Sequence, residues 1–259
     1  MQRGSARSPG PGVRPDIHAL LYDRAPAVSE RRLHYSRMAY DMLPVRVATR
    51  ILDMGCGDGQ VTLELAAWNG GGVVGLDTNR AALCQLLRQA HHRGLADRIR
   101  AVRCSMSQPG FRDESFDIVW AEGSIHVVGF EAGLRDWRKL IKRDGCLAVH
   151  EMTWLRPNPP AAIVARWRHS YPGIRTAQEY VARIPDCGYR VVGHFALPHD
   201  FWWSEFYVPL EHRIGELESR YAGDRAATAA LEEERRDVEL YRQHSSWYGS
   251  AFYLMQKEG

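Results

Sequence analysis

The sequence predicts an α/β fold: a Rossmann-like doubly wound sheet of about seven strands, mostly parallel with the last strand antiparallel, with helical cap segments. Three features predict it. Short apolar runs alternate with stretches of helical spacing through the central part of the chain, as in a parallel sheet with crossover helices. The first run, Ile51-Leu52-Asp53-Met54, leads into Gly55-Cys56-Gly57-Asp58-Gly59, with glycine at every second position. The next run, Gly72-Val73-Val74-Gly75-Leu76-Asp77, ends in an acid.

The glycine turn joins a strand to a helix expected from about Gln60. Glycine tolerates positive φ there and lets a ligand approach the main chain. The helix start adds unpaired N–H groups and a positive dipole end, suited to a carboxylate or phosphate. The spacing is G-x-G-x-G; the dinucleotide fingerprint is G-x-G-x-x-G, and Gln60 stands where its third glycine belongs. Asp77, ending the second strand, can accept hydrogen bonds from both hydroxyls of a ribose. Its bland alternative is to cap the next helix, a task equally open to Thr78.

Asp53, Gly55, Gly57, Gly59 and Asp77 together resemble the class I S-adenosylmethionine-dependent methyltransferases. The looser likeness is to their small-molecule branch, which includes the ubiquinone and menaquinone biosynthesis methyltransferases. It covers about Arg50 to Trp154. The resemblance implies that the glycine turn packs against the amino-acid end of S-adenosyl-L-methionine and that Asp77 binds its ribose, with Thr78 alongside. It also implies an adenine contact after the third strand, where the family commonly has an acid. This chain has Ser105 there, followed by Met106, which can lie against the ring.

The remaining elements follow in order. Asp16 to Leu43 reads as one or two helices, with Tyr35, Met38 and Met42 at helical spacing and Pro44 closing the segment. Val61, Leu65 and Trp68 mark the first crossover helix; Leu83, Leu87 and Ala90 mark the second. Ile99–Arg103 reads as the third strand, Phe116–Trp120 as the fourth and Cys146–His150 as the fifth. Leu134, Trp137, Leu140 and Ile141 read as a helix face, and Asp144-Gly145 as a turn. Arg156-Pro157-Asn158-Pro159-Pro160 stops regular structure, and two helices split by Tyr171-Pro172-Gly173 follow. Tyr189–Ala196 is the expected sixth strand. Two helices, one on Leu210, Ile214, Leu217 and Tyr221 and one over Ala226–Gln243, precede an antiparallel closing strand, Trp247–Met255, at the reversed edge of the sheet.

This reading divides the chain into a disordered basic tail (1–15), an N-terminal helical lid (16–44), a cofactor-binding Rossmann-like domain (45–156 and 189–259) and a helical cap insertion (157–188). Formal charge is only +3, which does not suggest a nucleic-acid partner. No apolar run reaches the roughly 18 residues of a membrane span, and residues 1–15 lack the apolar core of a secretory signal. The 5 scattered cysteines form no C-x-x-C pair, which argues against a metal site and for a reducing cytoplasm. Oligomeric state is left open.

Ligands on such sheets bind at the carboxyl ends of the strands, which places Gly55, Asp77, Ser105, Glu122 and Glu151 along one rim. The loop after the fourth strand, Ala121 to Phe130, holds Glu122 and His126. His126 is the candidate general base, since its unperturbed pKa lies near neutrality. Glu122 is the second candidate, either binding the ligand or orienting His126. His150 and Glu151 come third, and strand alternation allows one of them into a pocket. Tyr22, Tyr35, Glu151, Trp154, Trp202, Trp203 and Tyr207 are candidate pocket residues, with core packing as the alternative for the aromatic ones. The expected function is methyl transfer to a small-molecule acceptor through O, N, S or C. The alternatives are a nicotinamide-dependent oxidoreductase and an inert cofactor-binding partner protein.

Overall fold

The computed structural model describes residues 16–22, 29–44, 49–168 and 171–259, apart from the side chains of Ala19 and Tyr22. The expected tail, residues 1–15, lies outside the described residues. The chain divides into two compact units: Val28–His199 with His244–Gly259, and Met1–Ala27 with Asp200–Gln243.

Along the chain the helices are α1 (Ile17–Tyr22), α2 (Glu30–Met42), α3 (Gln60–Asn69), α4 (Arg80–His92), α5 (Phe130–Arg138), α6 (Ala161–Trp167), α7 (Ala177–Arg183), α8 (Val208–Arg220) and α9 (Arg225–His244). The strands are β1 (Ile51–Met54), β2 (Val73–Asp77), β3 (Ile99–Arg103), β4 (Phe116–Glu122), β5 (Ile141–Trp154), β6 (Tyr189–Ala196) and β7 (Tyr248–Lys257).

In the larger unit the strands form one seven-stranded sheet in the order β3-β2-β1-β4-β5-β7-β6. The strands from β3 through β5 run parallel, and β7 is antiparallel to both neighbours. Strand order reverses between β1 and β4, so a crevice opens at their carboxyl ends. Both faces of the sheet are covered, which is why β1 and most of β4 are buried throughout instead of alternating. Leu52, Val119, Leu147, Leu134 and Trp137 belong to the core between sheet and helices. Burying each such side chain is worth about 1.5–3 kcal/mol relative to exposure.

Local sequence explains several boundaries, and three expectations need correction. The closing strand β7 is not at an edge: it lies between β5 and β6. Its nearly continuous burial follows from that place, while β6, the true edge, is half open. Asp144-Gly145 is not a turn between a helix and a strand. β5 begins at Ile141, and its register against β4 slips between Phe116 and Ile118, so Asp144 sits in a bulge at φ +59°. The preceding helix therefore stops at Arg138, short of Leu140 and Ile141. Finally, α4 is capped by neither Asp77 nor Thr78: the Asn79 side chain accepts from the Ala81 and Ala82 amides at 2.9 and 3.2 Å.

The chain past β5 is stitched back to the end of that strand. The Arg175 carbonyl accepts from the Trp154 amide at 2.9 Å and from the Thr153 hydroxyl at 2.8 Å. A capping box on Thr176 and Glu179 then starts α7.

In the smaller unit, Leu210, Ile214 and Leu217 line the buried face of α8, against which α1 packs. Arg213 donates to the Leu21 carbonyl at 2.7 Å. Trp203–Tyr207 forms a π turn leading into α8, and the Tyr207 and Tyr241 rings stack at 4.0 Å.

Candidate active site

The glycine turn follows β1, with Gly55, Gly57 and Gly59 at φ +73°, +55° and +82°. All three occupy the left-handed region that a side chain disfavours. Their surroundings differ. A Cβ on Gly55 would stand 2.6 Å from the Ser124 Cβ, and one on Gly59 would stand 2.2 Å from Leu86 Cδ1. A Cβ on Gly57 would meet no heavy atom within 4 Å. Two glycines therefore let protein segments close on the turn, and the middle one faces open space. The turn is held by the Leu76 carbonyl, which accepts from the Gly55 and Cys56 amides at 2.8 and 3.0 Å.

Asp77 braces the same turn. One carboxylate oxygen accepts from the Gly57 amide at 2.9 Å, the other from the Asn79 amide at 2.7 Å. A carboxylate oxygen accepts about two hydrogen bonds, so acceptor capacity toward a ribose remains. Thr78 is exposed, and its carbonyl accepts from Arg103. Met106 stands beside the turn, its methyl 3.0 Å from where a Gly55 Cβ would be. The Ser105 hydroxyl accepts from the Ser107 amide at 3.3 Å.

Asp53 is buried beneath the turn and accepts from the Thr62 hydroxyl at 2.6 Å. Burial pushes its carboxyl up to about 7, with Glu122 and Asp77 adding repulsion against the Thr62 bond. Its carboxylate thus ties β1 to α3, and that bond is the contact the structure gives it.

Glu122 ends β4, and its side chain is only 4% exposed. One oxygen accepts from Arg32 Nε at 3.1 Å; the other accepts from the Ser36 hydroxyl at 3.0 Å and Trp120 Nε1 at 3.2 Å. The expected pairing of Glu122 with His126 is not formed. Three of its roughly four acceptor sites are taken by two residues of α2 and a neighbour on its own strand, so it anchors α2 to the carboxyl rim of the sheet. A carboxylate so engaged is poorly placed to take a proton from a ligand.

The partner of His126 is Glu151. The two approach at 3.5 Å between Nδ1 and Oε2, and the same oxygen accepts the His126 amide at 3.1 Å. Nδ1 is buried, which leaves Nε2 as the accessible ring nitrogen. Strand alternation separates the adjacent pair as expected. Glu151 lines a cavity of about 180 Å³ with His126, Phe130, Tyr171, Arg175 and Tyr180. His150 instead shares a hydrogen bond with Ser250 at 2.8 Å, and burial lowers its pKa to about 4.

The other candidate pocket residues are not among those lining this cavity. Trp154 is buried at the end of β5, edge-on to Tyr248. Tyr35 is half-buried on α2, edge-on to His34. Trp202, Trp203 and Tyr207 belong to the smaller unit. The Tyr22 side chain lies outside the described residues. Sequence reasoning missed Ser124, Arg32, Ser36, Tyr171 and Arg175. The available signal for Tyr171 was the Tyr171-Pro172-Gly173 break between two helices. The others sit in segments that look like ordinary loop or helix surface.

A glycine turn at the switch point, an acid ending the second strand and this seven-stranded order are those of the class I S-adenosylmethionine-dependent methyltransferase fold. Residues 51–145 match the family described as methyltransferase domain. That match sets aside the nicotinamide-dependent reading.

Among relatives, a sterol 24-C-methyltransferase of Gibberella zeae is 31% identical over 135 residues, 52% of this chain and 33% of that protein. The 27-O-demethylrifamycin SV methyltransferase of Amycolatopsis mediterranei is 28% identical over 66% of this chain and 65% of that protein. The chain thus spans about a third of the length of the first of these. In fold, it is similar to a methyltransferase of Geobacter sulfurreducens solved with S-adenosyl-L-homocysteine. There the TM-score is 0.76 at 18% identity, over 95% of this chain and 99% of that one.

S-adenosyl-L-methionine is the cofactor of the class, and the residues present fit a cationic ligand of this kind: an open glycine in the turn, spare acceptor capacity on Asp77 and three mutually repelling carboxyl groups, Asp53, Asp77 and Glu122. Among the described residues no helix is long and apolar enough to cross a membrane, and no cluster of three or more His, Cys, Asp or Glu could hold a metal.

Proposed function

We propose that this chain transfers a methyl group to a small-molecule acceptor held in the cavity beside His126. The observation that carries the reading is one short loop with two contacts. Ser124 packs on Gly55 of the cofactor turn, and two residues later His126 enters the cavity backed by Glu151. Cofactor and acceptor are thereby brought to one rim.

S-adenosylmethionine, when bound, supplies an electrophilic methyl group on a sulfonium. The protein's share is to align the acceptor, exclude water and move a proton. Alignment of this kind is worth roughly 7–11 kcal/mol of barrier. Gly57 leaves room for the ligand, Asp77 offers the ribose two acceptors, and Asp53, Gly55, Gly59, Thr78, Ser105 and Met106 complete the bed. His126 takes the acceptor's proton on Nε2, and Glu151 steadies the imidazolium that results. Glu122 serves by position, holding α2 over the rim.

On this reading α2 acts as the lid portion of the 16–44 segment and residues 157–188 as the cap, since Tyr171 and Arg175 wall the cavity. The 5 cysteines are all free thiols, which supports a reducing, cytoplasmic setting. The test has two parts. Isothermal titration should show saturable binding of S-adenosylhomocysteine, and label from the methyl group should appear in a product of a metabolite extract. No binding removes the reading; binding without transfer makes this an inert cofactor-binding protein.

A further inference from the structure

We infer that the cavity takes its acceptor as an ammonium, a small primary or secondary amine whose positive charge meets the Glu151 carboxylate among aromatic rings. This deepens the function proposed above and rests on it.

The first support is a missing charge. Glu151 is 3% exposed, yet among the described residues no lysine or arginine lies within ion-pair distance of it. Its donors are the Met152 amide at 2.8 Å and the His126 amide at 3.1 Å; His126 Nδ1 stands 3.5 Å away without a hydrogen bond. The cavity's one arginine, Arg175, pairs through one terminal nitrogen with Glu131 at 3.3 Å, and its Nε is buried without a hydrogen-bond partner. With His126 neutral, as a base must be, the lining carries one uncompensated negative charge. A buried charge without a counter-ion is costly, and a cationic ligand supplies one.

The second support is the wall. His126 and Tyr171 lie ring to ring at 4.5 Å, and Phe130 and Tyr180 at 4.4 Å. Aromatic faces attract cations electrostatically. The carboxylate's field reaches this wall: burial first and then Glu151 push the Tyr171 phenol up to about 12, and both raise Tyr180 as well. The third support is size. About 180 Å³ is below the roughly 300–1,000 Å³ of pockets for drug-sized ligands. It suits a small amine, or the amine-bearing end of a longer molecule.

The chemistry balances. The ammonium gives one N–H proton to His126 Nε2. The freed lone pair forms the C–N bond as the methyl group's bond to sulfur breaks, and the sulfur leaves with that pair as a neutral thioether. The methylated nitrogen carries the positive charge, and His126 returns its proton to solvent.

The test titrates benzylamine, benzyl alcohol and benzoate into the protein saturated with S-adenosylhomocysteine. Benzylamine should bind at least about tenfold more tightly than the alcohol, and benzoate should not bind. Glu151→Gln should bring amine and alcohol to parity while retaining the S-adenosylhomocysteine affinity, which also shows that the variant is folded. Tyr171→Leu should weaken the amine alone. Equal affinities in the parent, no saturable amine binding, or an amine preference that survives in both variants overturns the inference. Failure of S-adenosylhomocysteine itself to bind overturns instead the function on which it rests.

Discussion

The Asp77 carboxylate meets the Gly57 amide at 2.9 Å, so the last residue of β2 holds the middle of the turn that follows β1. Gly57 is also the turn glycine with nothing within 4 Å of where a side chain would begin. One hydrogen bond thus positions the main chain beside this open space.

From this follows a contrast between two glycines. Gly57→Ala meets no neighbour but must hold φ +55°, which costs about 1–2 kcal/mol. Its larger effect should be on S-adenosylhomocysteine, weakened at least about tenfold by a methyl in the ligand's space. Gly59→Ala adds overlap with Leu86, a further ~1–3 kcal/mol. Calorimetric unfolding and titration of both variants measure this. Unchanged ligand affinity in Gly57→Ala would place the crevice elsewhere.

The Glu122 anchor makes a second prediction. Glu122→Ala strands the Trp120 indole, leaves the Ser36 hydroxyl only the Arg32 carbonyl, and frees the Arg32 guanidinium. Removing one partner of a fully buried ion pair costs 3–5 kcal/mol. Arg32 is 41% exposed, so about 2–3 kcal/mol is expected here. Amide exchange should quicken across α2 while β1 and β4 keep their protection. An α2 that exchanges as slowly as in the parent protein contradicts the anchoring role.

Asp53 gives stability a pH dependence of definite sign. Its pKa rises from about 4 in the unfolded chain to about 7 in the fold. The folded state therefore holds the extra proton between those values, and stability contributed by the group falls as pH climbs from 4 to 7. Burial is complete, so the effect is on the order of a few kcal/mol. Asp53→Asn keeps an acceptor for Thr62 and lacks the titration. Its melting temperature relative to the parent should rise across that window and level off above it. His150, with its lowered pKa, acts oppositely: its contribution is lost as pH falls from 6.5 toward 4. It is unchanged in both proteins, so the difference isolates Asp53.

His126→Gln should slow methyl transfer by about 10²–10⁴-fold. The affinity for S-adenosylhomocysteine should stay within about twofold, since the ring lines the acceptor cavity. Single-turnover measurement with the acceptor found by label transfer reads both. A loss that appears only in cofactor affinity assigns His126 to the wrong side of the site.

The geometry of the glycine turn was legible in the chain because it is local. Asp53 to Gly59 is one strand and one turn, and the conformations the turn requires select glycine directly. Asp77 could be added because a βαβ unit returns the second strand beside the first, whatever the side chains in between. The partners of Glu122 and His126 were not legible, because those contacts span long separations. Glu122 and His126 are neighbours in sequence, and pairing them was reasonable. The structure gives Glu122 to Arg32, 90 residues earlier, and His126 to Glu151, 25 residues later.

The sequence by itself determined the class of fold, the strand-turn-helix around the glycines and the acid beside it, because periodicity and glycine φ preferences act within a few residues. Only the tertiary structure decided which carboxylate serves which group. A carboxylate takes whichever donors packing brings within about 3 Å. Packing of α2 against β4, and of the Tyr171–Arg175 segment over β5, joins residues whose separation along the chain carries no signal of their meeting.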